Sequence, residues 1–150
     1  MRSSGRTCLV AVDGSAASVQ ALVWGFRYAA DHSMCVEVLT VWPPHGSALI
    51  HEVPGHFCAA RWSARTAQED VIRQAIEEVP DGPISAARLE NADTGAAIVR
   101  ASTRCDLVVL GSSSNDNHHS LTGQIIDEAV CEVVVVGPSR VRRRRALVPR

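Results

Sequence analysis

The chain contains no lysine, and all 15 basic residues among its 150 residues are arginine. This absence excludes a P-loop lysine for nucleotide phosphates, a Schiff-base lysine and a lysine general base. Aromatic residues make up only 4% of the chain, and no apolar run is long enough to cross a bilayer or to act as a signal peptide. We therefore expect one globular domain that is neither exported nor embedded in a membrane.

The cysteines follow no functional spacing. They are odd in number and never form a CxxC pair, which argues against a disulfide framework and a zinc knuckle. We interpret them as small buried residues in a reducing cytoplasm. They are Cys8, Cys35, Cys58, Cys105 and Cys131.

The formal charge of −1 hides an uneven distribution. Six arginines follow the last strand-like run: Arg140, Arg142, Arg143, Arg144, Arg145 and Arg150. Without them, nine arginines oppose 16 acidic residues, a formal charge of −7, which does not favour nucleic-acid binding. We expect a domain over residues 1–139 and a solvated, disordered tail over residues 140–150 that either has no contacts or binds an acidic surface. Its LVPR end matches an engineered protease-cleavage remnant.

Apolar runs of strand length alternate with helical patterns. Five runs predict strands, at residues 7–12, 35–41, 84–89, 106–110 and 132–136, and several are continuous, as in a parallel sheet buried on both faces. Helices are predicted after Ser15 and over residues 59–79, 95–102 and 122–130. With right-handed crossovers, this order predicts a doubly wound, Rossmann-like α/β domain, with a five-stranded parallel sheet in the order 3-2-1-4-5 and helices on both faces.

The reversal of winding in such a sheet predicts the position of a ligand. Ligands bind beyond the carboxyl ends of the strands, and there the turn at Asp13 and the turn at residues 111–114 should converge. A glycine-rich turn that leads into a helix can direct backbone N–H groups and the helix dipole at phosphate. For Asp13 a second role stays open, because aspartate also caps turns.

Four segments, AVDGS, TVWPP, DTGAAIVRAS and DLVVLGS…GQIIDEAVCEVVVVGP, together resemble the universal stress protein family up to Pro138. In nucleotide-binding members, a Gly-x2-Gly-x9-Gly-(Ser/Thr) loop holds an adenine nucleotide. The resemblance implies ATP or AMP as a bound ligand, with Asp13 near it and the backbone of Val41 at the adenine. It implies further contacts from Gly111, Ser112, Ser114, Gly123, Gln124 and Ile125.

The loop departs from this motif at three points. Ser114 replaces the second glycine, eight residues rather than nine precede Gly123, and Gln124 replaces the closing Ser or Thr. A serine at positive φ costs about 1 kcal/mol, and one missing residue can shift the helix start by up to about 3 Å. Neighbouring hydroxyl groups, together with His118 and His119, could still contact phosphate. Two interpretations stay open: a degenerate nucleotide site, or a polar loop without a ligand.

No catalytic or metal centre is expected. Asp13 lacks the second aspartate that phosphatase motifs place two residues later, and the GSSS turn lacks the second glycine of a hydrolase elbow. The histidines lack standard ligand spacing, so we expect solvated side chains. These are His45, His51 and His56, which precede Cys58, and the adjacent pair His118 and His119.

The run Glu132–Val136 is expected to be an edge strand, and an apolar edge invites pairing with a second copy. The resemblance implies the same homodimer, formed by antiparallel pairing of the last strand. Because of its charge, we do not expect the arginine-rich tail to cover this edge.

These expectations combine into one hypothesis and two alternatives. The hypothesis is a cytoplasmic stress-response regulator that binds an adenine nucleotide, requires no cofactor and has no dedicated catalysis. The first alternative is a homodimeric protein-interaction module of the same fold that binds no nucleotide. The second, less favoured, is a nucleotide hydrolase.

Overall fold

A computed structural model of the chain describes residues 5–42, 58–113 and 121–146. The strands are β1 (Thr7–Ala11), β2 (Cys35–Trp42), β3 (Ile84–Asn91), β4 (Leu107–Gly111), β5 (Glu132–Val136) and β6 (Val141–Arg144). The helices are α1 (Ala16–His32), α2 (Ala59–Glu78), α3 (Thr94–Ala101) and α4 (Leu121–Glu128). All predicted strands and helices are present, with small shifts at their ends.

The strands form one sheet in the order β3-β2-β1-β4-β5-β6. Strands β1 to β5 are parallel, which confirms the α/β fold class and the predicted order 3-2-1-4-5. β1 lies between β2 and β4, where Cys8 is beside Val36 on one side and Leu107 on the other. The winding therefore reverses between β1 and β4, as the sequence predicts.

The prediction of five strands was wrong, because a sixth strand comes from the arginine-rich tail. β6 pairs antiparallel with β5, with Val141 beside Val136 and Arg144 beside Val133. β5 is therefore not the edge of the sheet, and the tail is not disordered over Val141–Arg144. An edge strand has unpaired backbone N–H and C=O groups, and pairing them stabilises the sheet. Here β6 of the same chain pairs with those groups of β5.

The charge of β6 does not prevent its docking, because its arginines find partners on the acidic body. Arg143 lies 5.3 Å from the ring centre of Tyr28 on α1, and its guanidinium donates to the Tyr28 hydroxyl at 3.1 Å and to Glu132 at 2.8 Å. Arg144 donates to the backbone carbonyl of Ala129 at 2.8 Å. A charge-assisted hydrogen bond and a cation–π contact thus hold the strand on both faces of the sheet.

The helices cover both faces of the sheet. α1 and α2 pack on one face, where Val10 and Val38 from the strands join Leu22, Phe26 and Val71. α3 and α4 pack on the other, and their core consists of Leu9, Leu39, Val108, Ile98 and Ile125 among others. Alternate residues of the central strands enter opposite cores, which is why those strands read as continuous apolar runs.

Side-chain caps start two of the helices near the carboxyl ends of the strands. The Ser15 hydroxyl accepts a hydrogen bond from the Ser18 backbone N–H at the start of α1. Asp93 accepts from the Ala96 N–H at the start of α3. Such caps each stabilise a helix by roughly 1 kcal/mol, and they fix where the helices begin.

Within the three described ranges, no helix has both the length and the apolarity that a transmembrane span requires.

Candidate functional site

A cavity of about 90 Å³ lies at the carboxyl ends of β1, β2 and β4. α3 and α4 close it on one side, and the start of α1 borders it on the other. Its lining residues are Ala11, Val12, Asp13, Ser15, Ser18, Leu39, Val41, Thr94, Ile98, Leu110, Gly111, Leu121, Thr122 and Ile125. The turn after β1 and the end of β4 therefore converge at the point of winding reversal, where this class of sheet binds ligands.

The structure brings four of the predicted site residues together. Asp13, Val41, Gly111 and Ile125 all line this cavity. They come from four separate elements or their ends, and more than a hundred residues lie between Asp13 and Ile125 in the sequence.

Three other predicted residues lie elsewhere, and Ser114 falls outside the described residues. Ser112 borders a neighbouring cleft with Ala17 of α1. Gly123 faces a groove between α4 and β6. Gln124 lies so close to Gly95 of α3 that a β-carbon on that glycine would overlap its amide group.

Helical geometry explains this division within α4. Leu121, Thr122 and Ile125 share the face that lines the cavity, since residues four apart lie on one side of a helix. Gly123 and Gln124 come one and two positions later than Thr122 and therefore point about 100° and 200° away from it. Because α4 already begins at Leu121, the position of the family's third glycine falls inside the helix rather than in the loop before it.

Four polar residues line the cavity that sequence reasoning did not assign to it: Ser15, Ser18, Thr94 and Thr122. Ser15 precedes α1, Thr94 is the first residue of α3, and Thr122 is the second residue of α4. The available signal was their position in the first turns of helices that follow parallel strands, because those first turns border the ligand site in such folds.

Asp13 is held in a network of hydrogen bonds. Its Oδ1 atom accepts from the Ser15 backbone N–H at 2.9 Å and from the Ser15 hydroxyl at 2.6 Å. Partial burial acts to raise the pKa of the Asp13 carboxyl, but the bonds from Ser15 and the nearby Ser18 hydroxyl together hold that pKa below its usual value. Asp13 is thus a carboxylate at neutral pH, and it contributes a negative charge at the mouth of the cavity.

Asp13 performs the turn-capping role, which was one of its two open interpretations. Gly14 follows it at φ 93°, a left-handed conformation that favours glycine, and Ser15 then caps α1.

The N-terminal ends of three helices border the cavity. Ser15 caps α1, Thr94 is the first residue of α3, and Leu121 is the first residue of α4. The first turn of a helix has unpaired N–H groups and a partial positive charge. Their convergence favours an anionic group of a ligand in spite of the charge on Asp13.

The inner wall of the cavity is apolar. It consists of Leu39, Leu110, Ile98 and Ile125, which also belong to the core between the sheet and helices α3 and α4. Val41, near the end of β2, extends this surface outward. A flat aromatic ligand could pack against such a wall while its polar end reaches the helix starts.

Gly111 allows β4 and α1 to approach each other closely. A β-carbon at this position would overlap the backbone carbonyl of Ala17 in the first turn of α1. Glycine is therefore required here by the packing of the protein itself, whether or not a ligand is bound.

In the part of the chain that the structure describes, no group of three His, Cys, Asp or Glu side chains is arranged to bind a metal ion. The five histidines considered as ligands, His45, His51, His56, His118 and His119, lie outside the described residues.

Comparison with known proteins places this fold among stress proteins. The model of the universal stress protein family matches residues 5–137. No significant match was found among proteins of curated function. Several solved structures are similar, and all those named below share less than a quarter of their residues with the chain, so they bear on the fold alone.

One similar structure is a universal stress protein in complex with cAMP, with 18% identity over 89% of this chain and 98% of the other, at a TM-score of 0.66. Another is universal stress protein UspA from Lactobacillus plantarum, with 21% identity over 90% and 99% and a TM-score of 0.60. A third is a universal stress protein family protein from Arabidopsis thaliana with AMP bound, with 16% identity over 88% and 91% and a TM-score of 0.56.

Proposed function

The chain belongs to the universal stress protein family, and from this we propose that it is a stress-response regulator that binds an adenine nucleotide at the cavity between β1, β4 and α4. The observation that carries the proposal is the convergence of Asp13, Val41, Gly111 and Ile125 on one cavity. Motif resemblance singled out these residues, and they line the same space at the carboxyl ends of the strands.

The chemistry of the lining suits the two halves of a nucleotide. The apolar wall around Leu39 and Ile98 can hold the adenine ring, with the backbone of Val41 at its edge. The starts of α3 and α4 can hold a phosphate, helped by the hydroxyl groups of Thr94 and Thr122. Asp13, as a carboxylate, repels phosphate and instead accepts hydrogen bonds from sugar hydroxyl groups.

The size of the cavity limits how the nucleotide binds. Pockets for ligands of this kind usually measure about 300–1,000 Å³, whereas this cavity measures about 90 Å³. A nucleotide therefore either extends outward beyond it or widens it. The altered glycine motif acts in the same direction, so we propose weak binding that responds to large changes in nucleotide concentration.

Two similar proteins support adenine nucleotides as the ligand class. One is described in complex with cAMP and the other with AMP bound. Both ligands have a single phosphate group, which a site with Ser114 in place of the second glycine accommodates more readily than a triphosphate.

We propose binding without dedicated catalysis. Among the described residues that line the cavity, Asp13 is the only one with an ionisable side chain, so no base and acid pair is present there. The Ser15 hydroxyl is already engaged with Asp13 and with the cap of α1. A cytoplasmic location is part of the proposal, because five cysteines without CxxC spacing are typical of proteins in a reducing compartment.

The homodimer through Glu132–Val136 stays a prediction, and the structure adds a condition to it. β6 occupies the edge that the partner strand would need. Pairing of two β5 strands therefore requires the release of β6, or a second copy must pair with β6 instead.

Calorimetry with AMP, ATP and cAMP tests the proposed ligand. The variant Thr94→Trp places a large ring at the mouth of the cavity, and Thr103→Trp places the same ring beyond the other end of α3, outside it. We expect the wild type and Thr103→Trp to bind AMP alike, and Thr94→Trp to bind at least about tenfold more weakly, since overfilling a pocket removes its ligand contacts.

The same measurements separate the alternatives. Absence of heat with all three nucleotides would favour the protein-interaction module that binds no nucleotide. Release of phosphate from ATP well above background, if it is lost in Asp13→Ala, would instead support a hydrolase.

A further inference from the structure

A pair of cysteine thiols lies buried at the other end of the sheet, away from the cavity. Cys105 precedes β4 and Cys131 precedes β5, and these two strands are neighbours. Their Sγ atoms are 3.9 Å apart, and the two residues are 1% and 3% exposed. A disulfide needs Sγ atoms about 2.05 Å apart, so the pair must close by just under 2 Å, a distance that side-chain rotation and a small strand shift can cover.

The two thiols form a chain of hydrogen bonds that runs from Cys105 to Cys131 and on to a backbone carbonyl. The Cys131 thiol donates to the backbone carbonyl of Glu132 at 3.3 Å, which leaves its sulfur to accept from the Cys105 thiol. This bond from Cys105 holds the pKa of Cys131 below its usual value, although burial acts to raise that pKa. The charge of Arg144 also lowers it. The same bond and burial raise the pKa of Cys105. The first proton lost by the pair is therefore that of Cys131.

Cys131 is also the member of the pair that a small oxidant can reach. It lines a cleft of about 710 Å³ together with Arg6, Asp106, Glu132 and Arg143 among others. The nearby charge of Arg144 favours the Cys131 thiolate, which is the reactive form of cysteine, whereas the charge of Asp106 at the cleft opposes it. Cys8, the third buried thiol, differs in this respect, because burial raises its pKa to about 12.

We propose that Cys105 and Cys131 form a peroxide-responsive dithiol that closes to an intramolecular disulfide. The Cys131 thiolate attacks one oxygen of hydrogen peroxide, so that an S–O bond forms and the O–O bond breaks. The hydroxide that leaves takes up a proton and becomes water, and Cys131 becomes a sulfenic acid. The Cys105 sulfur then attacks the Cys131 sulfur, the S–O bond breaks, and the second water leaves with the Cys105 proton. One peroxide is reduced and two thiols are oxidised.

The disulfide has a defined effect on the fold. It joins the starts of β4 and β5, so it closes a loop that contains the end of β4 at Gly111 and the whole of α4. These are the elements on one side of the cavity. Oxidation at one end of the sheet therefore restrains a wall of the cavity at the other end, whatever ligand that cavity takes.

Peroxide titration of the reduced full chain tests this inference. After titration, free thiols are alkylated in denaturant, and the digested protein is mapped by mass spectrometry without reduction. We expect two of the five cysteines to be protected from alkylation and one cross-linked peptide pair that contains Cys105 and Cys131. Dithiothreitol should return both thiols. The variant Cys58→Ser changes a partly exposed cysteine outside the pair and should leave the cross-link unchanged.

Other outcomes would overturn the inference. Oxidation of Cys35 or Cys58, with Cys105 and Cys131 still free and therefore alkylated after the titration, would show that the pair does not react first. A cross-link between Cys8 and Cys131 would identify the wrong partner. In Cys105→Ser, Cys131 should proceed to sulfinic acid. If this variant does not fold, Cys105→Ala serves instead, and the wild-type map decides the question without either variant.

Discussion

Gly111 at the end of β4 packs against the backbone carbonyl of Ala17 in α1, and a β-carbon on Gly111 would overlap that carbonyl. The contact is between backbones, so neither side can yield by a side-chain rotation. The glycine of the family motif is thus a packing residue here as well as a residue of the cavity.

The first prediction concerns this glycine. Gly111→Ala should lower the free energy of unfolding by about 1–3 kcal/mol, because inserting a methyl group into a packed site forces the backbone to move. Urea denaturation measures the change. The same substitution at Gly123, in the first turn of α4, should not destabilise the protein, since alanine is favoured over glycine in helices by up to about 1 kcal/mol. Equal losses in the two variants would contradict the packing role of Gly111.

The second prediction concerns the carboxylate of Asp13. Its pKa in the folded protein lies below the ordinary value of 3.8, so ionised Asp13 stabilises the fold above that pH, and the contribution is lost as the pH falls through the folded pKa. Asp13→Asn should cost no more than about 1 kcal/mol at pH 7, because the residue is exposed and its interactions are screened.

Urea denaturation at pH 7, 5 and 3 tests the sign. The difference between wild type and Asp13→Asn should be constant at pH 7 and 5 and should shrink at pH 3 and below. A difference for Asp13→Asn that grows toward low pH would have the wrong sign.

The third prediction concerns the docking of β6. Arg143→Ala removes the contacts with Tyr28 and Glu132 and should cost about 1 kcal/mol, a typical value for a partly exposed cation–π contact with an ion pair. Hydrogen exchange of the Val141–Arg144 amides should become faster while that of β1 stays unchanged. Arg142→Ala should have a smaller effect, because Arg142 lies on the opposite face of the strand and does not contact Tyr28.

The fourth prediction concerns the edge of β5. Deletion of residues 138–150 removes β6 and leaves one edge of β5 unpaired. We expect the shortened chain to form a dimer by pairing of two β5 edges, which light scattering would detect as a doubled mass. A synthetic peptide of residues 138–146 should return the chain to the mass of the full-length protein. A shortened chain with the mass of a single copy would count against pairing through Glu132–Val136.

The first five strands could be predicted from the sequence because apolar runs of strand length, several of them continuous, alternate with helical patterns. β6 could not be, because its sequence is nearly all arginine, which is typical of solvated segments. Its stability depends on Tyr28, far away in the chain, and on Glu132, and no local pattern indicates that these residues meet it.

Part of the lining of the cavity could be predicted from the sequence. The turns at Asp13 and Gly111 follow from the ends of parallel strands, and the family resemblance singled out Val41; all three line the cavity. The residues on α4 depend on the turn at which that helix begins. With its start at Leu121, Ile125 faces the cavity and Gln124 faces α3, and the motif spacing alone cannot give this helical phase.

The surroundings of two glycines indicate that one side of the cavity can move more easily than the other. On the α1 side, Gly111 meets the main chain of Ala17, so β4 and α1 must move together or not at all. On the α3 and α4 side, the atoms nearest to a β-carbon on Gly95 would be those of the Gln124 amide, at the end of a flexible side chain that can swing aside at little cost. Expansion of the small cavity around a bound molecule should therefore take place by outward displacement of α4, with the sheet and α1 as the stationary frame.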